Sequence, residues 1–302
     1  MNLKTIFVNL QERRLRAGWR LLIQTLLMLV IGLFVFVPVG VLVAFFPEMN
    51  LGMLGGQLVQ VLIITVSVFL ARRLLDRRSI VSLGLRLERR AALDLLAGIG
   101  ITFAMMGLIY LIQWAAGWLQ LETLAWQAES WGQVLVQTAV AGLVFVLVGW
   151  GEELLSRGYH LQTLASGLNL FWGVLLSSAV FGVLHLANPN ATWISAAGIT
   201  LAGLFLAYGY LRTRQLWLPI GLHIGWNFFE GVLFGFPVSG LETYRLLRIE
   251  VNGPELWTGG AFGPEAGLVL LPGLLLGTLL VYLYSRRHLQ EEDNAQEAID
   301  IH

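Results

Sequence analysis

The sequence predicts an all-α fold, a polytopic membrane helix bundle of about eight transmembrane helices with both termini cytoplasmic. Three observations predict it. Of the 302 residues, 57% are hydrophobic and 13% charged, against about 25% charged in a soluble domain. Eight apolar stretches come close to the ~20 helical residues that cross a ~30 Å hydrocarbon core. The basic residues alternate with these stretches in one sense: 17 of the 19 Lys and Arg fall on the segments that lie on the N-terminal side of the bundle. By the positive-inside rule that side is the cytoplasm.

The elements follow in order. Residues 1–20 interleave Ile6, Phe7, Leu10, Leu15 and Trp19 with Lys4, Arg13, Arg14, Arg16 and Arg20, the pattern of a basic amphipathic interfacial helix. The first apolar run, 21–46, is too long for a signal-peptide core and no small-residue cleavage site follows it, so it reads as a retained span. Spans at 54–71 and 93–117 complete an N-terminal group of transmembrane helices over 21–130. Four more spans, at 133–155, 171–187, 193–211 and 216–235, form a helix core over 131–236. An extracytoplasmic loop covers 237–264 and holds the two remaining arginines, Arg245 and Arg248. The last transmembrane helix lies within 265–289, its apolar span at 265–284. Residues 290–302 are a polar, acidic tail whose composition predicts disorder. Pro38 and Pro272 lie inside spans and predict kinks.

Composition also excludes chemistry. There is no cysteine, so disulfides, thiolate metal sites and a cysteine nucleophile are ruled out. Net charge is zero, and no basic patch points to nucleic acid; the expected partner is membrane lipid. No nucleotide, flavin or haem motif is present.

Ionisable groups inside a span cost about 2.5–3.5 kcal/mol each on insertion scales, and so are rare and usually functional. Three segments hold them. In Gly149-Trp150-Gly151-Glu152-Glu153-Leu154-Leu155-Ser156-Arg157, Glu153 and Arg157 share a helix face and can pair, while Glu152 is rotated about 100° away and left free. A free carboxylate beside a second one is suited to general acid–base work; the blander reading is an interfacial salt bridge. In Phe181-Gly182-Val183-Leu184-His185, His185 ends a run without charge, and Phe181 one turn earlier can wedge its ring; the blander reading is a buried histidine bonded to a carbonyl. In Gly221-Leu222-His223-Ile224-Gly225-Trp226-Asn227, His223 and Asn227 share a face, and Gly221 and Gly225 form a small-xxx-small pair that admits another helix closely; the blander reading is interhelical hydrogen bonding. Three polar faces in one apolar bundle must meet to be satisfied. Two Glu, two His and an Asn supply a base, a positioning group and oxyanion donors. No Ser-His-Asp set and no HExxH helix stands beside them. A straight count of helix length places His185 nearer the outer face than Glu152 and His223. Convergence then requires residues 158–170 to dip into the membrane, or a short, tilted fifth span, with Gly158 and Gly167 allowing the bend.

Taken together, EExxxR (Glu152, Glu153, Arg157), FxxxH (Phe181, His185) and HxxxN (His223, Asn227), in this order on separate spans, resemble the motifs of the CAAX protease and bacteriocin-processing (CPBP, or Abi) family. The Asn-Pro after His185, and Trp257-Thr258-Gly259-Gly260 through Gly263-Pro264-Glu265, resemble its bacterial members. The resemblance implies a CPBP-like catalytic core over 131–236 and an intramembrane endopeptidase acting on membrane-associated, lipidated (CAAX-like) or bacteriocin-like peptides in a bacterial cytoplasmic membrane. It implies Glu152 as the base that activates water, His185 as a water-holding group, His223 and Asn227 as oxyanion donors, and Glu153, Arg157 and Phe181 in support. A metal-free glutamate mechanism is favoured and no cofactor is required by it. Zinc held by Glu152, His185 and His223 is the alternative. Two further alternatives stand beside the protease: a non-catalytic immunity or scaffold protein of the same fold, and a proton-coupled transporter.

Overall fold

The computed structural model describes residues 6–9, 12–45 and 52–300, with side chains described through residue 286 apart from Val43. Eight principal helices follow one another. Helix α1 is Ala17–Phe45, α2 Gly52–Leu70, α3 Arg89–Ala115, α4 Trp131–Glu153, α5 Leu170–Leu184, α6 Trp193–Thr213, α7 Trp217–Asn227 and α8 Leu270–Asp300. Among the described residues, six helical segments are long and apolar enough to cross a membrane; α7 and the apolar part of α8, Leu270–Arg286, are shorter. The chain is an integral, multi-pass membrane protein. Large apolar side chains such as Leu33, Phe34, Leu135 and Leu275 face outward from the bundle, as they must where lipid is the solvent.

Helices α2, α4 and α7 run on without a break into π-helical segments, Ala71–Leu75, Leu154–Leu161 and Phe228–Leu233. Two of these begin directly after the motif pairs Glu152–Glu153 and His223–Asn227. π segments widen the helix and re-aim the residues beside them. After the second, the chain returns to α-helix over Gln162–Gly167, so the fourth span is one helical rod, Trp131–Gly167. This corrects the boundary at 155 expected from the sequence. The Glu-Glu-Arg cluster reads there as the membrane edge, yet Glu153 and Arg157 are buried and paired, so the helix has no reason to stop.

Helix packing is set by glycines. A Cβ on Gly221 of α7 would lie 2.1 Å from the carbonyl oxygen of Leu95, and one on Gly98 of α3 would lie 2.5 Å from the Leu222 nitrogen. Backbones therefore touch where α3 crosses α7. That contact seals one side of α7 and leaves the His223–Asn227 face turned to the interior, with both residues buried.

Two small sheets lie outside the helices. Strand β1, Val8–Asn9, pairs with β2, Arg14–Leu15, and β3, Leu119–Leu124, pairs antiparallel with β4, Leu247–Val251. The β3–β4 ribbon ties the α3–α4 connection to the segment between α7 and α8. The interfacial helix expected over 1–20 is corrected in part among the described residues: Val8–Asn9 and Arg14–Leu15 form a strand pair, and Ala17 to Arg20 open α1. The reason is ionic. Arg20 and Arg72 bond Asp76, and Arg14 stands 4.0 Å from it, so two of the basic side chains of this segment turn into the protein. Residues 1–5 and 10–11 of that segment lie outside the described residues. The tail expected to be disordered is helical through Asp300 as a continuation of α8, and residues 301–302 lie outside the described part.

Candidate active site

The site is built where α4, α5 and α7 face one another. Glu153 Oε1 accepts Arg157 Nη1 at 2.7 Å, across one helical turn. The second guanidinium branch donates to the Gly203 carbonyl of α6 at 2.9 Å. Both side chains of this ion pair are essentially inaccessible. The same Glu153 oxygen meets His223 Nδ1 at 2.8 Å. A carboxylate held by arginine accepts, so the Nδ1 carries the proton and His223 turns Nε2 toward Glu152.

His185 is oriented by a different device. It caps α5, and its own backbone N–H turns to Gly182 and Val183. The Phe181 carbonyl, one of the last in the helix and so lacking that partner, meets His185 Nδ1 at 2.7 Å. A carbonyl only accepts, so Nδ1 again donates and Nε2 is left facing the site. Glu152 Oε2 lies 3.9 Å from His185 Nε2 and 3.7 Å from His223 Nε2. That oxygen has no hydrogen-bond partner among the described residues. The Phe181 ring packs beneath all of this, 4.7 Å from the His185 ring and 6.1 Å from that of His223, with the Arg157 guanidinium 4.5 Å over its face. Asn227 joins His223 on the wall of the same cavity.

His185 thus stands level with Glu152, and the expected mismatch in depth does not arise. Residues 158–167 continue the fourth span as helix. Glu152 precedes Gly167, the end of its rod, by 15 residues, and His185 follows Leu170, the start of α5, by 15. Two antiparallel arms of about 22 Å each return the chain to the same height.

The cavity has a volume of about 890 Å³. Its walls run from Leu29, Leu33 and Phe36 of α1, which also face the bundle exterior, to Ser239 and Glu265 beyond the ends of the helices. Glu265 accepts Trp226 Nε1 at 3.1 Å and Ser239 Oγ at 2.6 Å. Burial pushes its carboxyl above the usual carboxylate range, while the Ser239 bond and the two imidazoles pull it down. Glu230, one turn of π-helix after Asn227, is fully buried. Glu230 and the wall position of Glu265 are the parts of this region that sequence reasoning missed. Glu230 had a readable signal, an acid inside an apolar stretch; Glu265 was visible only as the end of the Gly263-Pro264-Glu265 stretch, and its place in the cavity was hidden because its partner Trp226 is 39 residues away.

Residues 133–229 match the family described as Rce1-like, "Type II CAAX prenyl endopeptidase Rce1-like". That segment contains all three motifs. That segment is similar to the CAAX protease and bacteriocin-processing family. Over 111 residues the chain is 32% identical to the Bacillus subtilis (strain 168) protein "Putative membrane peptidase YdiL", a stretch that makes up 37% of this chain and 41% of that protein. The chain therefore spans less than half the length of the curated relative it matches. No solved structure matches it. The similarity to the CPBP family covers the three polar helix faces in the order in which they occur along the chain. The N-terminal helices, which wall the cavity on the α1 side, lie outside the matched segment.

Zinc needs three protein ligands at about 2.0–2.1 Å, which places tetrahedral donors about 3.4 Å apart. Glu152 Oε2 is farther than that from both imidazole nitrogens. Among the described residues no three His, Asp or Glu side chains stand as a metal-binding group. The side chains as placed do not fit a zinc centre.

Proposed function

We propose that this CPBP protein is an intramembrane endopeptidase that hydrolyses peptide bonds by glutamate-activated water. The observation that carries the reading is the convergence of Glu152 Oε2 on the Nε2 atoms of His185 and His223, at 3.9 and 3.7 Å, inside a cavity walled by lipid-facing residues. These separations are too long for direct hydrogen bonds and suit one bridging water. His185, fixed by the Phe181 carbonyl at Nδ1, presents Nε2 as the acceptor for that water. Glu152 takes the water proton as the oxygen attacks the substrate carbonyl carbon. Charge then develops on the carbonyl oxygen, where Asn227 and His223 donate. His223 can do so because the Glu153 carboxylate at its Nδ1 stabilises the imidazolium, as a buried aspartate does in a serine-protease triad. Glu152 returns its proton to the leaving amine as the C–N bond breaks, so atoms and charge balance.

Arg157 and Phe181 act through others: Arg157 fixes the Glu153 carboxylate in place, and Phe181 props both imidazoles. The substrate is a membrane-embedded or lipid-anchored peptide that reaches the cavity past α1. The cytoplasmic membrane of a bacterium is the expected setting, with Arg-rich loops inside. The apolar wall at Leu29, Leu33 and Phe36 favours this over a soluble peptide substrate.

The test is cleavage of a panel of quenched membrane peptides, lipidated and not, by protein purified in detergent. Glu152→Gln should reduce turnover by about 10²–10⁴-fold with the fold unchanged. Equal activity in the two proteins removes the assignment.

A further inference from the structure

We infer that Glu265 determines specificity, and that its carboxylate receives a basic side chain, Lys or Arg, of the substrate lodged in the cavity. The inference rests on the protease reading, since it concerns the same cavity. The ionisable groups that line the cavity are Glu152, His185, His223 and Glu265, and neither Lys nor Arg is among its described lining residues. The nearby Arg157 is committed to Glu153 and the Gly203 carbonyl. Apart from the two imidazoles at the catalytic end, the cavity therefore offers no basic side chain.

Glu265 is the acid at the polar end, beside Asn188, Ser239 and Thr243. Each of its oxygens takes one donor, Trp226 or Ser239, and a carboxylate offers about four lone-pair sites. These two bonds fix the carboxylate in place without saturating it. Glu230 behind it is fully buried with both oxygens lacking a hydrogen-bond partner among the described residues. Two buried carboxyls side by side, with no Lys or Arg lining the cavity, are costly to ionise. An ammonium or guanidinium brought by the substrate supplies the missing countercharge and two or more charge-assisted hydrogen bonds.

The apolar end of the cavity sets the rest of the pattern. A segment that lays apolar residues against Leu29, Leu33 and Phe36 and carries Lys or Arg across the scissile bond fills both ends. A terminal carboxylate at the polar end would meet Glu265 and no cation, so the favoured cut is internal, next to a basic residue.

The experiment measures binding as well as turnover. Fluorescent apolar peptides of one length, differing only in Lys, norleucine or Glu at one position, are titrated into the full-length protein in zwitterionic detergent and read by anisotropy. Wild type should bind the Lys peptide about tenfold or more tightly than the norleucine peptide, and the Glu peptide least. In Glu265→Gln the Lys-to-norleucine ratio should fall to about one. In Glu265→Asp, which keeps the charge, the ratio should stay above one. Equal affinity of Lys and norleucine peptides for wild type overturns the inference without any variant, as does a ratio that survives Glu265→Gln. Binding preference with no cleavage of any peptide sinks the protease reading and leaves this one standing.

Discussion

Glu153 and His223, seventy residues apart, are joined through a single oxygen: the Oε1 that Arg157 holds at 2.7 Å also takes the Nδ1–H of His223 at 2.8 Å. One atom thus ties an ion pair within α4 to an imidazole on α7. Disturbing either partner disturbs the other.

That linkage predicts non-additivity. Glu153→Gln and His223→Asn should each lower kcat by about 10²–10³-fold, the scale of losing one oxyanion donor. The double variant should be no worse than the poorer single, because the groups act as a unit. Initial rates of the three variants on one quenched peptide check it.

Arg157→Met should be destabilising by about 3–5 kcal/mol, since it strands the Glu153 charge in a buried position. Arg157→Met paired with Glu153→Leu should recover much of that loss. Denaturant unfolding in mixed micelles gives both numbers.

The Asp76 cluster makes a similar prediction at the basic face. Arg20 and Arg72 both bond this carboxylate, and the side chains of all three are buried. Asp76→Asn leaves two guanidinium groups without their counterion and should cost about 3–5 kcal/mol. It should do so without altering the Lys-to-norleucine binding ratio, because the cluster does not line the cavity.

The α3–α7 crossing can be tested by size alone. Gly221→Val places a side chain where the Leu95 carbonyl already is, 2.1 Å from Cβ, and should cost at least the 1–3 kcal/mol typical of overpacking. Gly100→Ala on the facing helix α3 meets nothing within 4 Å and should be neutral or slightly stabilising. Thermal midpoints of the two proteins in one detergent decide the matter.

A chelator should leave peptide cleavage unchanged if Glu152 works on water directly. Loss of cleavage restored by zinc would require the three side chains to close by a few tenths of an ångström into a ligand set.

The bundle was legible because lipid leaves a coarse signature: long apolar runs and one-sided arginines. The three polar motifs were legible as local pairs, because four-residue spacing puts Glu153 on Arg157, Phe181 on His185 and His223 on Asn227. What joined them was not. Helix length hides in residues such as Arg157, which reads as a membrane edge and is in fact a buried ion-pair partner. The N-terminal segment was misread for a related reason. Its arginines look like headgroup contacts, and Asp76, which binds two of the arginines nearby, is remote in sequence. The β3 strand did carry a signal in its apolar–polar alternation, Leu119-Gln120-Leu121-Glu122, which a search for membrane spans passes over.

The equal arms that run from Glu152 to Gly167 and from Leu170 to His185 make the hairpin a length standard. A residue inserted in one arm would raise its active-site group by about 1.5 Å and swing it by about 100°. The same insertion in the other arm would move that group's partner along with it in height but not in bearing. Tolerance to insertion should therefore be poor anywhere between Glu152 and His185. The interval that looks like filler between two short motifs is the dimension on which their meeting depends.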